Sequence, residues 1–451
     1  MEKEQILAKI KDIKAHEIFN FICQGKVTLP EVEATGMLDL NKHKAIKKLK
    51  VELDHEDNLI WQSIAEKSEE GINVTIRDYT SYISKFPNGI HRGEADDCIA
   101  EIITKQQLSK SERESKLRKI KENRNSCRPE GLSKDIESGI ISVDDLVNDC
   151  NIPKRIVEKV LSFGQKPIKL GITPDSIPSG FTEVYFWGDI NSGKTCALAA
   201  ILKTTESKGY LKTGVGPGLS YLNDLKNIFE DDNIGFLPEG TPIENTQYLP
   251  FELKRKGDRH PRSVSMIELS GEIFKCFLAV NEGKDIPAEL KPTFQTLTSY
   301  LNGDNRKIHF FFIDYLPDAN AKLTRTQSDY MSEAAKWIEM NKVFAKKTDA
   351  IYLVITKSDL ITGYGDDDKT TLKQNINEFL DSKFPAFRRN LKDICVQADI
   401  RGGDYEIIPF SIGDVYFTKI CELNNEPSLT IIERLFNIKP QKKSVLDFII
   451  G

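Results

Sequence analysis

The octapeptide Gly188-Asp189-Ile190-Asn191-Ser192-Gly193-Lys194-Thr195 constrains this chain more than any other stretch, because G-x-x-x-x-G-K-T specifies a local geometry as well as a chemistry. Glycines let successive backbone N–H groups curl around phosphate oxygens. Lys194 neutralises charge at the β and γ positions, and Thr195 offers its hydroxyl to Mg²⁺. The flanks are those the loop requires. Glu183-Val184-Tyr185-Phe186-Trp187 reads as a buried strand, and Cys196-Ala197-Leu198-Ala199-Ala200-Ile201-Leu202 reads as a helix whose N-terminus faces the anion. Gly188, Asn191, Ser192, Gly193, Lys194, Thr195 and Cys196 are therefore candidate nucleotide-binding residues, with Lys194 also a catalytic candidate and Thr195 a metal ligand.

At 451 residues the chain has room for two or three domains. Its 63 basic and 68 acidic residues leave a net charge of −5, which gives no bulk attraction to nucleic acid or anionic lipid. No apolar run approaches the ~18 residues of a membrane span. The start, Met1-Glu2-Lys3-Glu4-Gln5, is charged and unlike a signal peptide, so a cytoplasmic location is expected. Eight scattered cysteines contain no C-x-x-C pair, which argues against a zinc site and a disulfide framework.

Residues 1–164 read as an all-α region. Ile22–Val32 aligns without gaps to Ile136–Leu146: each has a glycine turn, a Thr or Ser placed as an N-cap, and an acidic residue three positions on. The unit is a small helix-turn-helix-like module used twice. Between the copies, Trp61, Tyr79, Tyr82, Phe86 and Ala95 look like a helical hairpin similar to tetratricopeptide-type repeats, followed by a basic stretch at 105–128 read as a solvated helix or linker. The domains expected are a helical module at 1–55, the hairpin and basic linker at 56–130, the second module at 131–165, an α/β domain at 181–436 and a tail at 437–451. The segment Lys166–Gly180, with Pro167, Pro174 and Pro178, marks the main boundary.

From Phe181 apolar strands alternate with amphipathic stretches, and strands are expected at 183–187, 247–253, 263–269, 308–314, 350–356 and 405–410. Segments 247–253 and 263–269 are close enough to form an antiparallel edge hairpin. Thr356-Lys357-Ser358-Asp359 directly follows one strand. A carboxylate there can accept from both N1 and N2 of guanine, a donor pair that adenine lacks, while the lysine stem lies along the base. This resembles the [N/T]-K-x-D motif of P-loop GTPases of the Ras-like and translation-factor class. The order agrees, since Ile407-Ile408-Pro409-Phe410-Ser411-Ile412-Gly413 falls where that class has its last strand and a base-contacting loop. The resemblance implies a Ras-like P-loop GTPase domain: a mostly parallel six-stranded sheet with an edge hairpin, preceded here by the all-α region. It also implies GTP/GDP and Mg²⁺ as ligands, with Thr356, Lys357, Asp359, Ser411 and Ile412 reading the base.

Ser265-Met266-Ile267-Glu268-Leu269-Ser270-Gly271-Glu272 looks like the family's D-x-x-G switch motif, in which Gly271 would present its N–H to the γ-phosphate. Two departures stand out. Glu268 replaces the usual metal-holding aspartate, and Glu272 stands where Ras proteins carry their water-orienting glutamine. Slow turnover, a partner's arginine, or Glu272 itself orienting the water all remain open. The metal-contacting switch threonine is expected at Thr241, with Thr246 as the other candidate.

Two competing readings use other residues of the same sequence. Ile308-His309-Phe310-Phe311-Phe312-Ile313-Asp314 fits an ATPase metal strand ending in Asp314, although Tyr315 follows where a catalytic acid would be expected. Alternatively the duplicated modules, with Lys26, Lys42, Lys44, Lys47, Lys48 and Lys50 in the first, would make the chain a nucleotide-controlled DNA-binding regulator. Acidic Glu31, Glu33, Asp39, Asp144, Asp145 and Asp149 oppose that. The leading expectation is a guanine-nucleotide switch whose residues 1–165 engage an unidentified protein partner. That arrangement resembles the adaptor regions of bacterial signalling or defence GTPases.

Overall fold

Every position of the first strand after the linker is apolar or paired, and its five residues from Glu183 to Trp187 are buried, as a central parallel strand covered on both faces must be. The computed structural model describes residues 2–69, 73–162, 173–212, 218–229, 233–238, 246–316, 326–345 and 347–437. Ten strands lie among them: β1 Thr182–Trp187, β2 Leu211–Lys212, β3 Ile234–Phe236, β4 Gln247–Leu253, β5 Arg262–Glu268, β6 Arg306–Asp314, β7 Thr348–Thr356, β8 Glu406–Pro409, β9 Gly413–Tyr416 and β10 Ile420–Leu423.

Seven of these form one sheet in the order β2-β4-β5-β1-β6-β7-β8, with β5, β1, β6, β7 and β8 mutually parallel and β4 antiparallel to β5. All six expected strands are present to within two residues, and the edge hairpin is β4–β5. The expected six-stranded sheet is corrected to seven. The extra strand, β2, is two residues long and offers no alternation for a sequence pattern to register. A separate three-stranded sheet, β3-β10-β9, was also not expected, since its strands are three or four residues long.

The pleat sorts side chains between two cores. Tyr185, Trp187, Ile267, Phe311, Ile313 and Leu353 face helices Phe274–Asn281, Lys291–Asn302, Gln327–Met340 and Pro385–Gln397. Val184, Phe186, Met266, Phe310, Phe312 and Val354 face helices Lys194–Ser207, Leu219–Lys226 and Asn425–Asn437. Residues one apart thus point to opposite faces, the period-2 rule acting on strands with apolar residues on both faces.

Two compact units divide the chain: residues 1–118 with 139–141, and residues 119–138 with 142–451. In the first, one helix, Leu40–Glu69, runs straight across the boundary expected at residue 55, and another, Arg92–Glu122, carries the basic stretch through 122. Trp61 packs on Tyr82 at 5.3 Å and stacks on His91 at 5.0 Å, which closes the hairpin between these helices and Ile76–Lys85.

The two aligned segments share a glycine turn and a cap, although the first leads into the α-helix Leu29–Ala34 and the second into a five-residue π-helix, Asp145–Asp149. Gly25 and Gly139 both take left-handed φ, +69° and +73°. Thr28 exchanges cap hydrogen bonds with Glu31 at 2.9 and 3.4 Å, and Ser142 does so with Asp145 at 2.8 and 3.2 Å. Among the described residues no helix is long and apolar enough to cross a membrane. The expected tail lies outside the described residues from 438 onward.

Candidate functional site

β1 delivers the chain into the loop 188–193 and helix Lys194–Ser207 carries it away, with Gly193 at the N-cap in left-handed φ (+85°). The Lys194 ammonium is buried and donates to the carbonyls of Gly188 at 2.7 Å and Asp189 at 2.9 Å, and to Ser192 Oγ at 3.4 Å. It is therefore wrapped in its own loop's oxygens. Burial pulls it down to about 8, against the upward pull of Glu268 and Asp189. Burial also raises Asp189, with Glu272 adding to the rise and Lys194 opposing it. Ile190 and Asn191 form the exposed tip of the loop.

The parallel neighbours of β1 bring the remaining motifs to this loop, because parallel strands end on the same edge of the sheet. On one side β5 ends at Glu268, which is 1 % exposed. Thr195 donates its hydroxyl to Glu268 Oε1, and Tyr221, on helix Leu219–Lys226, donates to Oε2 at 2.6 Å. Gly271 lies so close to the loop that a β-carbon there would stand 2.3 Å from the Ile190 nitrogen. Glu272 follows in a 3₁₀ turn, with its carboxylate paired to Lys275.

On the other side, β7 ends at Thr356. Its hydroxyl donates to the Ser192 carbonyl at 3.0 Å and the Ile313 carbonyl at 3.2 Å, so the start of T-K-S-D is bonded directly to the phosphate loop. Lys357 adopts left-handed φ (+55°), and its ammonium contacts Asp314 Oδ2 at 2.6 Å. Asp359 is exposed, in the middle of the 3₁₀ turn Ser358–Leu360 that the buried Ser358 opens. The Ser358 N–H donates to the Phe410 carbonyl at 3.2 Å, which extends the β7–β8 ladder and leads into Ser411 and Ile412. Tyr364 joins these two loops: burial raises its phenol, Asp359 raises it further, and its hydrogen bond with Ser411 opposes both.

The structure thus gathers Gly188, Asn191 to Cys196, Glu268, Gly271, Glu272, Thr356, Lys357, Asp359, Ser411 and Ile412 along one edge of the sheet, at the C-terminal ends of β1, β5, β7 and β8. Thr241 lies outside the described residues. Thr246 immediately precedes β4 and is 1 % exposed, and its hydroxyl has no hydrogen-bond partner among the described residues. Asp314, the competing metal candidate, is engaged by Lys357, and its second oxygen accepts from the Leu316 N–H at 2.9 Å. Among the described residues no group of three His, Cys, Asp or Glu is arranged to hold a metal.

Sequence reasoning missed two tyrosines, Tyr221 and Tyr364. Neither stands in a motif, and each reaches the site from a connection whose course only the fold defines.

No protein-family model matches the chain, and no curated protein matches it. Solved structures similar to it include a Methanosarcina barkeri Roco2 fragment bound to GDP (12% identity, TM-score 0.24, 59% of this chain and 52% of that one). They also include the S. cerevisiae Ski7 GTPase-like domain bound to GDP and inorganic phosphate (15%, TM-score 0.27, 58% and 51%) and the same domain bound to GTP (16%, TM-score 0.26, 58% and 51%). The match spans about half the length of each of these structures. At these scores the likeness carries no functional weight. What stands is an α/β fold with a mostly parallel sheet and a strand–loop–helix phosphate motif at its edge.

Proposed function

We propose that this chain is a guanine-nucleotide switch that binds GTP and GDP and hydrolyses GTP slowly, its helical N-terminal residues passing the nucleotide state to a partner protein. The observation that carries this reading is the bond from Thr356 to Ser192: a guanine-type recognition loop fastened to a phosphate loop across 164 residues of sequence. One nucleotide held at both ends is the simplest ligand for that junction.

The donor chemistry at Thr195 and Glu268 supports Mg²⁺. A hydroxyl and a carboxylate, already hydrogen-bonded to each other beside the phosphate loop, are the hard oxygen donors this cation takes alongside phosphate oxygens and water. When bound, the cation would neutralise charge developing between the β- and γ-phosphates. The chain's own residues then divide the work. Lys194 would exchange its carbonyl partners at Gly188 and Asp189 for phosphate oxygens. The Gly271 N–H would face the γ-phosphate, and Glu272 would leave Lys275 to orient the attacking water. Glu272 is already paired with Lys275, and a paired glutamate is a poor substitute for a free glutamine, so turnover would be slow.

The ATPase alternative loses support because Asp314 is held by Lys357, whereas the phosphate-loop threonine is bonded to Glu268. The test is titration of wild type and Asp359→Ala with GTP, GDP and ATP. The expected result is micromolar or tighter guanine-nucleotide binding that is lost selectively in the variant. Equal affinity for ATP and GTP in wild type would overturn the reading.

A further inference from the structure

A cavity of about 490 Å³ adjoins the base end of the site, and Asp359 and Leu360 form part of its wall. Its other walls come from Val415 and Tyr416 of β9 and, unexpectedly, from the helical segment before the linker, through residues 120–125 and 150–152. This volume falls within the range of small-molecule sites, about 300–1,000 Å³.

The helical wall is firmly fixed. Arg124 pairs with Asp414 at 2.7 Å and lies 4.3 Å above the Tyr416 ring. The turn between β9 and β10 places two non-glycine residues, Phe417 and Thr418, at left-handed φ of +53° and +63°. Such backbone persists only where its surroundings over-determine it. Here both amides are spoken for by the helical segment: Phe417 N–H donates to the Arg124 carbonyl at 3.1 Å, and Thr418 N–H donates to Asn125 Oδ1 at 2.9 Å. Farther along, Lys419 pairs with Glu130 at 2.7 Å, and Arg155 pairs with Glu422.

The chemistry of guanine identifies what this wall would meet. A carboxylate at Asp359 takes the N1–H and one N–H of the 2-amino group, which leaves the second 2-amino N–H in need of an acceptor. Glu122 and Asn151, two residues of the helical segment that line the same cavity, carry acceptor oxygens. We propose that residues 120–125 and 150–152 form the second wall of the guanine site, with Glu122 or Asn151 accepting the remaining 2-amino N–H, so that this helical segment reads base occupancy directly. The proposal rests on the guanine-nucleotide reading above and adds the specificity residues to it.

The test uses the full chain with GTP, inosine triphosphate, which lacks the 2-amino group, and ATP. Glu122→Ala combined with Asn151→Gly removes both candidate acceptors, and glycine is at ease at the +54° φ of residue 151, so the fold is retained. The expected result is a loss of about threefold to tenfold in GTP affinity, the worth of one hydrogen bond, with inosine triphosphate affinity unchanged. Unchanged GTP affinity, or equal weakening of both nucleotides, would overturn the proposal while leaving the guanine reading intact. Absence of any GTP preference over ATP in wild type would overturn that reading instead.

Discussion

Tyr221 donates its phenolic proton to Glu268 Oε2 at 2.6 Å, while Thr195 donates to the other oxygen of the same carboxylate. Two elements far apart in sequence therefore fix one buried side chain. Glu268 has one more rotatable bond than aspartate, so the metal role proposed for it would require its head group to be aimed. Tyr221 does the aiming. Its own phenol is pushed well above the ordinary value by burial and by the Glu268 charge, so it remains a donor.

Tyr221→Phe should keep the fold, since the ring stays packed and the loss is one hydrogen bond to a carboxylate, about 1.5–3 kcal/mol. Nucleotide affinity in EDTA should be unchanged, whereas the Mg²⁺ concentration needed for half-maximal tight binding should rise severalfold. A Mg²⁺ titration of nucleotide affinity reads this directly. An unaltered Mg²⁺ dependence would mean that Glu268 needs no such support.

Gly271 and Gly131 form a matched pair for testing close approach. A β-carbon at 271 would lie 2.3 Å from the Ile190 nitrogen and 2.7 Å from its Cα, both backbone atoms that cannot swing aside. Gly271→Ala should therefore push the phosphate loop out of place, cost about 1–3 kcal/mol as overpacking does, and weaken nucleotide binding more than tenfold. Gly131, inside helix Pro129–Glu137, meets nothing within 4 Å, and Gly131→Ala should be neutral or stabilising by up to about 1 kcal/mol. Chemical denaturation and nucleotide titration of the two variants check both halves.

The strands were legible because they are long and apolar throughout; Ile308 to Ile313 could be nothing else in a chain with this phosphate loop. The candidate residues were legible where a motif ties them to a strand: Glu268 and Thr356 close β5 and β7, Lys194 opens the helix after β1 and Asp359 lies in the turn after β7. What escaped was tertiary. Strands of two to four residues, such as Leu211–Lys212 and Ile420–Leu423, contain too few side chains to display a period. The 30-residue helix Leu40–Glu69 was cut short in the reading because its polar surface hides the stripe that includes Ile46, Leu53, Ile60 and Ile64. Tyr221 could be found only once the fold placed its helix over Glu268.

Protonation offers a test that needs no substitution. Lys194 sits at about 8 because burial disfavours its charge, and an anionic phosphate arriving beside it would raise that value. Between about pH 8 and the ordinary lysine value the empty site is largely neutral and the occupied site charged, so binding takes up a proton. Nucleotide affinity should therefore fall as pH rises through 8, and calorimetry in buffers of different ionisation enthalpy at pH 8.5 should register net uptake. For stability the sign is opposite. The unfolded chain binds more protons in this window, so the nucleotide-free fold gains stability as pH rises through it. Release of a proton on binding, or none exchanged, would place Lys194 away from the phosphates.

Asp314 and Glu268 end the strands on either side of β1, and their partners separate their roles. Glu268 touches the phosphate-loop threonine; Asp314 touches Lys357, the lysine expected to lie along the base. If each carboxylate acts through what it touches, removing its charge should disturb different ends of the nucleotide. Glu268→Gln should weaken Mg²⁺-dependent binding and turnover at least tenfold while the preference for GTP over ATP is retained. Asp314→Asn should leave the Mg²⁺ dependence as in wild type and narrow the GTP preference severalfold, because Lys357 loses the partner that holds its stem in place. Parallel Mg²⁺ and nucleotide titrations of the two variants decide the matter. The reverse pattern, with Asp314→Asn abolishing the metal response, would make β6 the metal strand and return the chain to the ATPase reading.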